Sequence, residues 1–180
     1  TFSAGITYQY TGSGNIPKVF DQSTGTDVDG LTITGCTIIM AGSPTGNGTL
    51  INLRDSDAST ISNNTITVSA STGSHDGIVM LYSSNLTISG NTISGNASET
   101  TGKLEDAIVV SGTTLTIENN TINDGWSYDE HPDAIVVQGD GNRAGANTSG
   151  VTVTRNTIKN FSQGIYFNCI HNPIQGTNLI

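Results

Sequence analysis

The chain has 180 residues, with fifteen acidic against six basic side chains, a formal charge of −9, and only 12% of its residues charged. So few cations exclude a nucleic-acid partner, whose phosphates need clustered Lys and Arg, and argue against tight binding of strongly anionic polymers. No apolar run approaches the roughly 18 residues of a membrane-spanning helix, so no membrane span is expected.

Residues 1–29 match no repeat. The run GITYQY from Gly5 has strand character and GSGNIP is a turn ending at Pro17, so this segment is expected to supply an irregular first coil. From Leu31 one pattern returns: LTITGCTI at Leu31, STISNNTI at Ser59, LTISGNTI at Leu86, LTIENNTI at Leu115 and VTVTRNTI at Val151. A pattern recurring every 27 to 36 residues marks a repeat architecture. β-Branched residues alternate within each copy, as in Leu86, Ile88 and Ile93 with Thr87 and Thr92 between them, which is strand periodicity. Gly35-Cys36, Asn63-Asn64, Gly90-Asn91, Asn119-Asn120 and Arg155-Asn156 interrupt the alternation. Gly and Asn tolerate left-handed backbone angles, so a sharp bend between two short strands is expected there. A second apolar run follows four of the copies: DGIVML at Asp76, DAIVVS at Asp106, DAIVVQ at Asp133 and QGIYFN at Gln163. Loops at 39–47, 67–75, 94–105 and 123–132, and an insertion at 139–150, account for the variable repeat length. The tail from Cys169 is expected to begin one more coil.

One repeat is therefore strand, bend, strand, loop, strand, connector, and stacking such units buries the Leu, Ile and Val rows in one continuous core. These NTI-type repeats resemble the right-handed parallel β-helix of the pectate-lyase-like superfamily, over residues 30–168. The resemblance implies an all-β, single-stranded solenoid of about five to six coils. The division expected is one domain over 1–180: an irregular first coil at 1–29, repeats at 30–168 and a partial coil at 169–180. Asn64, Asn91, Asn120 and Asn156 should stack as an internal amide ladder, with Cys36 in the amide's place in the first copy.

Two features could carry chemistry. Asp76, Asp106 and Asp133 hold equivalent places in three coils, and like charges about 5 Å apart raise each other's pKa or recruit a cation. The row is open to three readings: structural, a calcium (Ca2+) site, or catalytic carboxylates. The second is the loop GWSYDEHPD from Gly125 beside the long insertion carrying Arg143. Trp126, Tyr128, Glu130 and Arg143 suit sugar binding, an aromatic face supplying stacking and the polar groups orientation. Tyr128, His131 and Asp133 also resemble the Tyr/His/Asp set of β-helix alginate epimerases and lyases, which implies catalytic roles for them. The NTD, DD and HG signature of polygalacturonases is absent from the sequence.

The chain opens at Thr1 without a signal-peptide pattern, so a processed leader or an excerpt of a longer chain is expected, and the composition suggests an extracellular or cell-surface protein. Of seven N-x-Ser/Thr sequons, Asn47, Asn96 and Asn147 lie in predicted loops and are the glycosylation candidates. Cys36 and Cys169 are four coils apart, about 19 Å of rise, which is beyond disulfide reach. If the chain is complete, its end coils expose strand edges and core, which invites head-to-tail self-association. The sequence thus favours a secreted structural solenoid that stacks into a filament or surface layer. The alternatives are a polysaccharide lyase, hydrolase or epimerase, or a polysaccharide-binding adhesin module.

Overall fold

The computed structural model describes residues 1–13, 18–22, 28–70, 72–96, 103–125, 132–139, 147–168 and 178–179. All strand pairs among them are parallel. The chain winds into a parallel β-helix in which each turn crosses three faces. The first face leads into the bend: Thr32–Thr34, Thr60–Ser62, the later halves of Ser74–Ser89 and Asp106–Glu118, and Ser149–Thr154. The second leaves the bend as a six-stranded sheet, from Thr7–Tyr10 through Thr37–Met40, Thr65–Val68, Thr92–Ser94 and Thr121–Asn123 to Thr157–Lys159. The third runs from Phe20–Gln22 through Gly48–Arg54, the early halves of Ser74–Ser89 and Asp106–Glu118, and Asp133–Gln138 to Gln163–Asn168.

The bend has a simple backbone cause. Gly35, Asn63, Gly90, Asn119 and Arg155 all sit in the left-handed region, with φ of 65, 55, 63, 56 and 54°. Gly and Asn reach these angles readily, and the following residue turns its side chain into the coil. There Asn64, Asn91 and Asn120 are buried and form a ladder. The Oδ1 of Asn91 accepts from both the main-chain N–H and the Nδ2 of Asn64, each at 3.0 Å. Asn120 receives the same pair from Asn91, and Asn156 from Asn120, at 2.9–3.0 Å. Each Nδ2 also donates to an isoleucine carbonyl one turn back: Ile33, Ile61, Ile88 and Ile117. Cys36 donates its N–H to Asn64 but offers no amide oxygen, and the ladder stops there.

Inside the coil, side chains stack by register. Ile33, Ile61, Ile88, Ile117 and Val153 form one column, and Ile38, Ile66, Ile93, Ile122 and Ile158 a second. Ile51, Ile78, Ile108, Ile135 and Ile165 form a third. Most are fully buried, each worth about 1.5–3 kcal/mol of transfer free energy.

At the start of the chain, Phe2 bridges Ile33, Thr7–Tyr10 joins the second face and Phe20–Gln22 the third. Phe20 packs edge-on against Phe2 and Tyr8 at centroid distances of 4.7 and 4.9 Å. Strand Gly48–Arg54 lies on the third face without an Asp in its sequence to announce it. Asn178–Leu179 pairs with Thr152 and Val153, beginning a further turn on the first face. No helix among the described residues is long and apolar enough to cross a membrane.

Candidate functional site

The Asp row lies along the outer corner where the loops enter the third face. Thr49 pairs with Asp76, Asp106 with Asp133, and Asp133 with Gln163. Between Asp76 and Asp106 the ladder is irregular. Leu104 pairs with His75 and Ile108 with Ile78, so Glu105, Asp106 and Ala107 oppose only Asp76 and Gly77. This is a bulge on one strand of the pair, a feature that bends a ladder and re-aims its side chains.

The bulge sets the electrostatics of Asp76. Its carboxyl, largely buried although the residue as a whole is half-buried, accepts a hydrogen bond from Thr49 Oγ1 at 3.2 Å and another from the main-chain N–H of Asp106. Burial and then the Glu105 charge push its pKa up to about 7, against the smaller opposite pull of those two donors. Asp106 is half-buried and Asp133 is 7% exposed. The Asp133 N–H bonds the Glu105 carbonyl at 3.0 Å and the Glu105 N–H bonds the His75 carbonyl at 2.8 Å, so the bulge is tied in on both sides.

Next to this row, on the side of the third-face strands away from the main core, lies a second buried apolar cluster of Val79, Leu81, Val109 and Val136, with Tyr82 packed against it. Arg54 lies over the Tyr82 ring at 5.7 Å, and Tyr82 holds a left-handed φ of 60°. Nothing in the residue pattern singled out Thr49, Arg54 or Tyr82. Thr49 could have been found by aligning TLINLR with DGIVML. A shallow cavity of about 370 Å³ lies between two stacked loops, lined by Ser43, Pro44, Thr45, Gly46, Thr72 and Gly73.

Trp126, Tyr128, Glu130, His131 and Arg143 lie outside the described residues, as do Cys169 and His171. Among the described residues, no group of three or more His, Cys, Asp or Glu side chains is placed to hold a metal ion. Asn47 and Asn147 are exposed and Asn96 is half-buried. The Asn47 Oδ1 accepts from the Ser74 N–H at 3.0 Å. Cys36 is a buried free thiol, and burial pushes its pKa up.

A family model described as the right-handed β-helix region matches residues 19–179. The chain belongs to the right-handed β-helix family. Comparison with curated proteins and with solved structures returned no match. Membership fixes the hand of the winding and agrees with a pectate-lyase-like superfamily. β-Helix proteins share a scaffold and not a chemistry, so activity has to be argued from the corner itself.

Proposed function

We propose that the third face of this β-helix engages a polysaccharide, with Asp76 as the general acid that protonates a glycosidic oxygen. The observation that carries this reading is the Asp76 carboxyl at the bulge, bonded by Thr49 Oγ1 and the Asp106 N–H, where burial and then the neighbouring Glu105 charge raise its pKa. A carboxylic acid kept protonated near pH 7 next to a second carboxylate is the arrangement that glycoside cleavage asks for. Beside it Tyr82, packed on the buried cluster of Val79, Leu81, Val109 and Val136, is the half-buried aromatic ring against which a sugar would stack. The low basic content favours a neutral polymer over a strongly anionic one. The test is release of new reducing ends from a panel of neutral polysaccharides. The expected result is activity in the wild type that falls about 100-fold or more in Asp76→Asn, the usual scale for a lost general acid. Binding that is equal in both proteins, without product, would leave a binding module and remove the catalytic role.

A second reading is a structural one, in which turns stack into a longer rod or layer at the outside of a cell. It is favoured by where the exposed large hydrophobic side chains lie. Phe2 and Ile6 belong to the first turn, at 37% and 40% exposure, and Ile165 and Tyr166 to the last, at 37% and 36%. Another turn, from the same polypeptide or from a second copy, would cover them. Sedimentation across a hundredfold concentration range separates the readings, because a constant mass removes self-association.

A further inference from the structure

We propose that the first face of this β-helix binds the surface of ice. The face uses none of the residues of the Asp corner, so the inference does not rest on the polysaccharide reading. From Thr32 to Thr154 its strands pair in register, turn on turn. Ile33, Ile61, Ile88, Ile117 and Val153 point into the core, so the residues on either side of each point out. The residue before is threonine in every turn: Thr32, Thr60, Thr87, Thr116 and Thr152. The residue after is Thr34, Ser62, Ser89, Glu118 or Thr154, so only Glu118 lacks a hydroxyl. The result is a grid of two rows, with about 4.8 Å between turns and about 6.6 Å between rows.

Three properties limit what such a grid can take. The threonines of the first row are all half-buried, so they are presented evenly, and their hydroxyls make no hydrogen bond to another described residue. In the second row Ser62 Oγ donates to Thr34 Oγ1 at 3.0 Å, linking successive turns. Charge is nearly absent: in a chain of formal charge −9 the two rows hold only Glu118, and its carboxylate is ion-paired with Arg155. Neither row contains an aromatic ring on which a sugar could stack.

The occupant that complements this face is therefore neutral, able both to donate and to accept, and periodic on the scale of a β-sheet. Hexagonal ice has these properties. It exposes oxygens at one repeat close to the spacing of strands and at a longer one close to twice the rise per residue. A threonine hydroxyl can donate to such an oxygen or accept from it, while its methyl fills the space between. One bond to water contributes little, but a grid that is already rigid makes many at once with little ordering cost. Rigidity comes from the apolar column beneath the grid and from the Asn ladder at its edge.

The experiment is thermal hysteresis of the purified full chain, with ice-crystal shape followed under the microscope. Thr87, at the centre of the first row, is changed in Thr87→Tyr, and Thr92→Tyr places the same bulk on the exposed second face. The expected result is a freezing point held below the melting point, with faceted crystals, in the wild type and in Thr92→Tyr. In Thr87→Tyr the effect should be lost while circular dichroism shows an unchanged fold. No hysteresis in the wild type, no loss in Thr87→Tyr, or equal loss in both variants overturns the proposal. If Thr87→Tyr does not fold, Thr60→Lys, whose long side chain carries its charge out to water, takes its place with the same expectation. Binding to crystalline chitin or cellulose with no effect on ice growth would make the face a polysaccharide platform, and that too overturns it.

Discussion

Asp76 and His75 are neighbours in sequence whose environments oppose each other on titration. His75 points into an apolar coil and resists a proton; Asp76 sits at the outer corner beside Glu105 and holds one. For Asp76 the folded pKa of about 7 lies above the ordinary carboxylate range. Its proton is released in the unfolded chain near pH 4 and in the folded chain only near neutrality, so stability falls as pH rises between those values. Asp76→Asn should remove that slope and stabilise the protein above pH 8 by about 1–2 kcal/mol, the variant's amide losing some of the bonding that the carboxylate has from Thr49 and the Asp106 N–H. Urea denaturation at pH 5 and pH 8 reads it; an unchanged pH slope in the variant would assign the ionisation elsewhere. Arg155 shows a different single-residue compromise. It holds a left-handed φ of 54° where other turns use Gly or Asn, which costs roughly 1–2 kcal/mol. Its side chain ion-pairs with Glu118 and donates from Nε to Asn119 Oδ1, offsetting part of that cost.

Among elements, the Asn ladder is the one whose removal leaves the most polar groups stranded. Asn91→Ala takes the acceptor from the N–H and Nδ2 of Asn64 and the donor from the Ile61 carbonyl, all at a buried bend. Each orphaned group costs about 1–3 kcal/mol, so a loss of about 3–5 kcal/mol is expected in chemical denaturation. Asn156→Ala, at a half-buried rung, should cost about 1–2 kcal/mol, and equal losses at the two positions would contradict this account. Much of this element was readable in the residues. The alternation in LTISGNTI, the Gly or Asn at the bend and the apolar runs after it are local signals, and each corresponds to a strand or turn of the coil. Two features were not. Strand Gly48–Arg54 carries Thr49 in place of Asp, so its kinship with the later runs is hidden. The bulge at Glu105 is invisible because chain length between Asp76 and Asp106 does not say where an extra residue lodges; only pairing locates it. The aromatic half of the candidate site, Trp126 to His131, lies outside the described residues and brings no geometry to the corner.

Across the whole molecule, each turn touches only the turn before and the turn after, so stability is close to a sum of turn and interface terms. Two couplings make the sum cooperative: the isoleucine columns and the Asn ladder, both running through the turns at Asn64, Asn91 and Asn120. Weakening one central interface should therefore do more than lower the midpoint. In Asn91→Ala the coil before the lesion and the coil after it lose their shared amide contact at the same place. Each part should then respond separately to denaturant. The expected signature is a smaller urea m-value, because less surface is exposed in each step, with the variant's transition broader than the wild type's. A mutation of similar cost that leaves the ladder intact, Ile108→Ala at about 2–5 kcal/mol, should lower the midpoint while retaining more of the m-value. Circular dichroism and site-resolved hydrogen exchange on the two variants distinguish loss of coupling from loss of stability. If both variants unfold with the wild-type m-value, the ladder is an ordinary set of hydrogen bonds and cooperativity resides in the apolar columns alone.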